Sequence, residues 1–278
     1  MDGLINYLEV LQMSGLKDWG PFAPNPTEVE TIQRIFQQQN EPAPPISVPA
    51  SSPLPPPPPV DVSPLPLTTV CETETAPEMP RKTVAPRKRH AALAILAAEV
   101  AQCEQCLELV DYRTQTVFGT GNPNAELVFL GEAPGADEDK QGVPFIGRAG
   151  QLLTDMITKG MRLKREDVYI CNILRCRPPG NRNPEPKEAV ACRPFLDRTL
   201  EILNPKYICC LGAIAAQNLL ATEETIGNMR GTVYDYHGIK VVCTYHPAYL
   251  LRSPDAKVKT WEDLKLLMKV MGIPIPRK

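Results

Sequence analysis

Apolar residues near the start of the chain fall at helical spacing in two short stretches, Leu4, Leu8 and Leu11, then Ile32, Ile35 and Phe36. Each stretch predicts a short amphipathic helix, too small to build a core of its own. Residues 1–40 therefore read as a helical extension, either a weakly ordered tail or a docking helix for a partner. Residues 41–88 lose this rhythm. They are dense in proline, with an unbroken run from Pro55 to Pro59. Proline fixes φ and lacks a backbone donor, so this segment predicts a disordered linker of extended polyproline II character. Arg81, Lys82, Arg87, Lys88 and Arg89 close it with a basic cluster, either a solvated linker end or a loose grip on a phosphate backbone.

From residue 89 the pattern turns globular. Helical periodicity covers 91–100, 150–161, 186–203, 213–220 and 261–271. Short apolar runs at 126–130, 168–171, 207–211 and 240–244 predict four buried strands. Strands alternating with helices predict an α/β fold for residues 89–278. It is a three-layer αβα arrangement with a mostly parallel four-stranded central sheet. Sites in such sheets lie beyond the carboxyl ends of the strands, which directs attention to the loops after Leu130, Cys171, Leu211 and Thr244.

Composition narrows the function without naming it. Of 278 residues, 43% are hydrophobic and 22% charged, as in ordinary soluble proteins. A formal net charge of -2 gives no global basic balance, so any nucleic-acid face must be a local patch. The first residues, Met1-Asp2-Gly3-Leu4-Ile5, lack the basic and apolar regions of a secretory signal. No stretch approaches the roughly 18 apolar residues of a membrane span. The expectation is a cytoplasmic protein with no membrane partner. In a reducing compartment, closely spaced cysteines read first as metal ligands.

Two elements of chemistry stand out. Cys103 and Cys106 form a CxxC at a helix end, and Cys176 and Cys192 lie further on. Four thiolates from remote segments suit tetrahedral zinc or an iron–sulfur cluster, and spacing alone does not choose. Cys171, Cys209, Cys210 and Cys243 lie inside apolar strand patterns and read as core. Gly119-Thr120-Gly121 precedes the first strand and cannot be a dinucleotide loop. Gly131-Glu132-Ala133-Pro134-Gly135 follows that strand, without the spacing of a phosphate loop, and predicts a tight turn with backbone amides near a ligand. His246 follows an apolar strand and precedes Pro247, which projects its ring from a strand end. Asn172 is an unusual neighbour for the apolar run at 168–171 unless its amide has a partner.

Four segments then fall in one order: GEAPGADED at 131–139, GVPFIGRAGQLL at 142–153, CNILRCRPPGNR at 171–182 and HPAYLLR at 246–252. With the CxxC ahead of them, they closely resemble the family-4 uracil-DNA glycosylases, bacterial and archaeal enzymes with a [4Fe-4S] cluster. The resemblance covers roughly residues 90 to 272 and none of 1–86. It implies hydrolysis of the uracil–deoxyribose bond in single- or double-stranded DNA, leaving an abasic site for base excision repair. It also implies that Cys103, Cys106, Cys176 and Cys192 hold a structural [4Fe-4S] cluster.

The resemblance assigns roles to further residues. His246 would donate to the leaving uracil's O2, and Phe145 would stack on the flipped base. Asn172 would read the uracil edge. Leu250, Leu251 and Arg252 would form the wedge that enters the duplex, with Arg148, Arg175, Arg177 and Arg182 on phosphates. Glu132 ranks first as the group that positions water. Glu138 ranks second, with exclusion of thymine's methyl as its other role. Ala133 stands where family-1 enzymes have aspartate and many family-4 members have glycine; its backbone amide is the expected contact. No inserted loop or histidine follows the first motif, so ordinary turnover is expected. The resemblance implies uracil-containing DNA as the partner; residues 1–86, which it does not cover, leave open a repair or replication protein bound there, and a monomer is expected. Two alternatives stay open: a glycosylase of broader taste for deaminated bases, and a non-catalytic DNA-binding module of the same fold.

Overall fold

The computed structural model describes residues 84–276. The two N-terminal helical patterns, the proline run, Arg81 and Lys82 lie outside the described residues. Helix α1 (Pro86–Ala101) begins inside the span read as linker. Pro86 is compatible with a helix start, because its missing N–H would have no intrahelical partner there. Arg87, Lys88 and Arg89 therefore sit on the first turns of a helix. Helix α2 (Leu107–Tyr112) follows the CxxC.

The sheet has six strands in the order β1-β3-β2-β4-β6-β5. They are β1 (Thr120–Gly121), β2 (Leu127–Gly131), β3 (Tyr169–Asn172), β4 (Tyr207–Leu211), β5 (Val233–Tyr236) and β6 (Ile239–Thr244). The four expected strands are its parallel centre; β1 and β5 add antiparallel edges. The central register aligns Cys171, Leu130, Cys210 and Cys243 across four strands. The edges escaped the sequence pattern for physical reasons. Strand β1 has two residues, and β5 is only partly buried and shows no apolar run. The β5–β6 hairpin turns on His237 and Gly238, both at positive φ (49° and 77°), as a two-residue hairpin loop requires.

Helices cover both faces. On one, α1 and α5 (Pro186–Leu203) bury Leu93, Leu96, Leu196 and Leu200 against Val128, Ile208 and Val241. Helix α6 (Ala213–Leu220) joins this layer through Ala215 and Leu219. On the other, α4 (Arg148–Asp155) and α9 (Ala256–Met271) bury Leu153, Leu264 and Leu267 against Phe129, Ile170 and Val242. The helix expected over 150–161 is α-helical only to Asp155 and continues as a π-helical turn over Met156–Gly160. Short helices α3 (Ala136–Gln141), α7 (Ile226–Met229) and α8 (Pro247–Arg252) complete the chain. No described helix is long and apolar enough to cross a membrane.

Strands β2, β3, β4 and β6 point the same way, so Gly131, Asn172, Leu211 and Thr244 share one edge of the sheet. Hydrogen bonds tie the chain beyond these ends. The Ile173 and Leu174 amides donate to the Gly131 and Glu132 carbonyls, and the Gly212 amide donates to the Thr244 carbonyl (2.8 Å).

Candidate active site

Asn172 ends β3 with 1% of its surface exposed, and its Oδ1 has no hydrogen-bond partner. A buried, unpaired amide oxygen costs about 1–3 kcal/mol, so it marks a place where a ligand donor would be welcome. Gly131 makes the close approach feasible. A Cβ there would lie 2.4 Å from Asn172 Oδ1 and 2.5 Å from the Phe145 ring. Phe145 is buried, with its ring centroid 5.6 Å from that of His246. Phe145, Asn172 and His246, from three separate motifs, are thus gathered around the ends of β2, β3 and β6.

Phe145 sits at φ 55°, a left-handed conformation that an aromatic residue rarely adopts. The loop holds it by side chains. Glu138 accepts hydrogen bonds from the Ile146 and Gly147 amides (both 3.0 Å) and from the Gly135 amide (3.2 Å). Both its oxygens are committed to this loop, so its role here is to stitch the first motif to the second. Glu132 is half-buried, and burial raises its carboxyl above the ordinary carboxylate range. Ala133, also half-buried, follows it in the loop after β2.

His246 is the N-cap of α8. Its Nδ1 accepts the Ala248 amide hydrogen at 3.2 Å. The ring proton of the neutral imidazole must therefore reside on Nε2, leaving that atom as a donor. Burial, helped by the nearby Arg252 cation, lowers its pKa to about 4, so the ring is neutral near pH 7. Gly212, at φ 94°, passes close beneath; a Cβ there would lie 3.0 Å from that of His246.

One network behind His246 has no counterpart among the sequence expectations. Thr244 Oγ1 donates to buried Asp263 Oδ2 (2.7 Å), and Arg230 binds both oxygens of Asp263 through Nε and Nη2. The Arg230 guanidinium also lies over the Tyr245 ring. The available signal was the stripe Thr260, Asp263, Leu264, Leu267 on α9, in which polar residues occupy core-facing positions.

The expected DNA face divides. Leu251 (37% exposed), Tyr249 and Arg252 face solvent on α8, and Arg148 does so on α4. Leu250 does not belong to the wedge. It is 1% exposed and packs in the core beneath the site, because successive helical residues point about 100° apart. Arg175 is not a phosphate contact either. It is 1% exposed, donates to the Phe118 carbonyl and Thr199 Oγ1, and lies over the Phe118 ring. Arg182 is committed to Glu188 (2.7 and 2.9 Å) and Glu108 (3.2 Å). Arg177 donates to Asn181 Oδ1 and covers Tyr112 while remaining partly exposed.

Cys103, Cys106, Cys176 and Cys192 line a single pocket, together with Leu109 and Arg113. All four are free thiols with partial exposure, whereas Cys171, Cys209, Cys210 and Cys243 are buried in the sheet. Burial raises the Cys106 and Cys176 thiols and lifts Cys192 to about 11, with neighbouring thiols of the same pocket adding to each shift. Arg113 bridges the group, donating to Cys176 Sγ (3.0 Å) and the Cys103 carbonyl (2.9 Å). Soft donors converging on one pocket suit a thiophilic metal.

The family described as the Uracil DNA glycosylase superfamily matches residues 118–265. The chain is 44% identical over 185 residues to the type-4 uracil-DNA glycosylase of Archaeoglobus fulgidus, covering 64% of this chain and 92% of that protein. It is 45% identical over 167 residues to the type-4 uracil-DNA glycosylase of Thermotoga maritima, covering 59% and 86%. Similarity to the type-5 uracil-DNA glycosylase of Pyrobaculum aerophilum is lower, 28% over 182 residues. The chain belongs to the uracil-DNA glycosylase superfamily, on its type-4 branch.

Proposed function

We propose that this protein hydrolyses the N-glycosidic bond of uracil in DNA, releasing the base and leaving an abasic site. The observation that carries the reading is Asn172 Oδ1, buried and unpartnered beside the Phe145 ring. Uracil presents an N3–H donor next to the O4 acceptor, which an amide oxygen and amide nitrogen can meet together. A base that cannot donate at that position leaves the oxygen orphaned, the strong form of discrimination. Phe145 supplies the stacking face for a base flipped out of the helix.

As the bond breaks, negative charge grows on uracil O2. Neutral His246 donates from Nε2 to that oxygen, while the Ala248 amide holds Nδ1. The donor is already oriented, so the interaction strengthens in the transition state without reorganisation. Glu132, in the loop after β2, orients the water that meets the sugar. Leu251 enters the space left by the base, and Arg148, Arg177 and Arg252 engage phosphates.

Cys103, Cys106, Cys176 and Cys192 are the residues we assign to a [4Fe-4S] cluster, on the strength of four thiols lining one pocket. When bound, such a cluster supplies a covalent staple among the end of α1, the loop after β3 and the first turns of α5. The free thiols of the described residues suit a reducing, cytoplasmic setting.

The test is excision from a labelled uracil-containing oligonucleotide by the native chain and by His246→Ala. Loss of one transition-state donor should slow the variant by about 10²–10³. A native, iron-replete chain that leaves uracil in place would overturn the enzymatic reading in favour of a DNA-binding module. Parallel strands carrying hypoxanthine distinguish a uracil enzyme from one of broader taste.

A further inference from the structure

Arg165 lies in the 3-10 turn Arg165–Asp167 ahead of β3, outside every motif that carries the family resemblance. Its guanidinium nevertheless reaches the candidate base pocket. Nη2 donates to both the Pro144 carbonyl (3.0 Å) and the Phe145 carbonyl (2.9 Å), and Nη1 donates to Thr154 Oγ1 (2.9 Å). Among the described residues no carboxylate forms an ion pair with Arg165. It is a half-buried cation held by neutral acceptors, a costly arrangement unless those acceptors matter.

The acceptors belong to the strained residue of the pocket. Phe145 is left-handed, and its carbonyl occupies the space that a side chain at Gly150 would need, where a Cβ would lie 1.8 Å from the carbonyl oxygen. The next two amides are fixed by Glu138. Both peptide groups flanking the Phe145 Cα are therefore tied to other parts of the fold. Nη2 has one hydrogen for each of the two successive carbonyls, and the rigid plane of the guanidinium sets Nη1 on Thr154 of α4 at the same time. With the backbone fixed, the ring is directed over Gly131 and against Asn172.

We propose that Arg165 is a positioning residue that sets the base-stacking geometry of Phe145 by locking its left-handed backbone. The inference rests on the stacking role given to Phe145 above. Arg165 touches no substrate; it acts through the ring. Its effect on excision must therefore disappear when the ring is gone, which a general structural role would not do.

The experiment compares single-turnover uracil excision by the full chain carrying Arg165→Met, Phe145→Leu, or both. Arg165→Met should slow excision roughly tenfold to hundredfold, the scale of a misplaced stacking contact. Arg165→Lys should recover part of the rate, because a single ammonium can donate to the carbonyls but lacks the second nitrogen that anchors the guanidinium to Thr154. The double variant should be no slower than Phe145→Leu alone. Multiplied losses in the double variant, or a native rate for Arg165→Met, would overturn the inference. Where the methionine chain does not fold, Arg165→Lys with and without Phe145→Leu carries the same comparison. An inactive native chain would overturn the function proposed above and this inference with it; an active native chain with multiplied losses overturns this inference alone.

Discussion

The base pocket and the cysteine pocket are built in opposite ways. Asn172 ends β3 and His246 follows the end of β6, both strands of the parallel centre, and Phe145 is held by Glu138 on one side and Arg165 on the other. The protein supplies all these restraints itself. The cysteines hang from weaker supports: the residues just past α1, the cap of α2, the loop after β3 and a turn of α5. No strand pairing joins those four segments. One pocket is finished before its ligand arrives and carries the cost as an unpaired amide oxygen. The other gathers thiols, of which burial raises Cys106, Cys176 and Cys192, and a metal that binds thiolates would remove that conflict.

Asn172→Ala tests the first half of that contrast most severely. It removes the group proposed to meet the base edge, so excision should fall by on the order of 10³. Stability should hold or rise, since the variant no longer buries an unsatisfied oxygen. Single-turnover rates and thermal melts on the same preparation check both signs. A large fall in melting temperature would mean that Asn172 is a structural residue.

Cys176→Ala should show the reverse pattern. Iron content and visible absorbance should drop, and the melting temperature should fall by on the order of 10 °C, because metal binding is folding energy. Arg113 would lose its sulfur acceptor in the same variant. Unchanged iron content would remove Cys176 from the ligand set.

Proton uptake sharpens the contrast within the base pocket. Burial raises Glu132 above its usual range, whereas His246 is depressed to about 4. As pH falls, Glu132 takes its proton first, so the acid limb of the excision rate belongs to it. Glu132→Gln should lower the plateau about tenfold and move that limb down toward pH 4. The His246 contribution to stability has the opposite sign to that of Glu132: its folded pKa lies below the unfolded value near 6.5. At this site the unfolded state binds more protons between about 4 and 6.5, so the stability His246 contributes is lost as pH falls through that window. A rate profile unchanged by Glu132→Gln would take the water-orienting role away from Glu132.

What the sequence disclosed follows the range of the forces involved. The parallel centre was legible because each strand is a run of apolar residues buried on both faces, and α5, β4 and α6 have the bounds their periodicity predicts. Asn172 and His246 were legible because a polar residue at the end of such a run asks for a reason. Arg175 was misread because its partners, Phe118 and Thr199, lie 57 and 24 residues away. Leu250 and Leu251 are chemically identical, and only the turn of α8 sends one inward and the other out. Arg165 and Asp263 carry no local pattern that separates them from solvated charges; their meaning lies in contacts made after folding.

Thr244→Val offers the finest distinction between building a pocket and filling it. The substitution keeps the shape of β6 but deletes the 2.7 Å bond to Asp263, a buried bond to a charged acceptor worth about 1.5–3 kcal/mol. Asp263 retains Arg230 through two bonds, so the helix should remain docked. Thr244 lies two residues before His246, and the Gly212 amide is bound to its carbonyl. Loosening that strand end should misalign the imidazole more than the base-reading amide on β3. The expected result is a rate constant lower by about fivefold with substrate affinity unchanged. If affinity falls instead and the rate constant holds, the strand end serves base binding, and the division of labour between β3 and β6 is wrong.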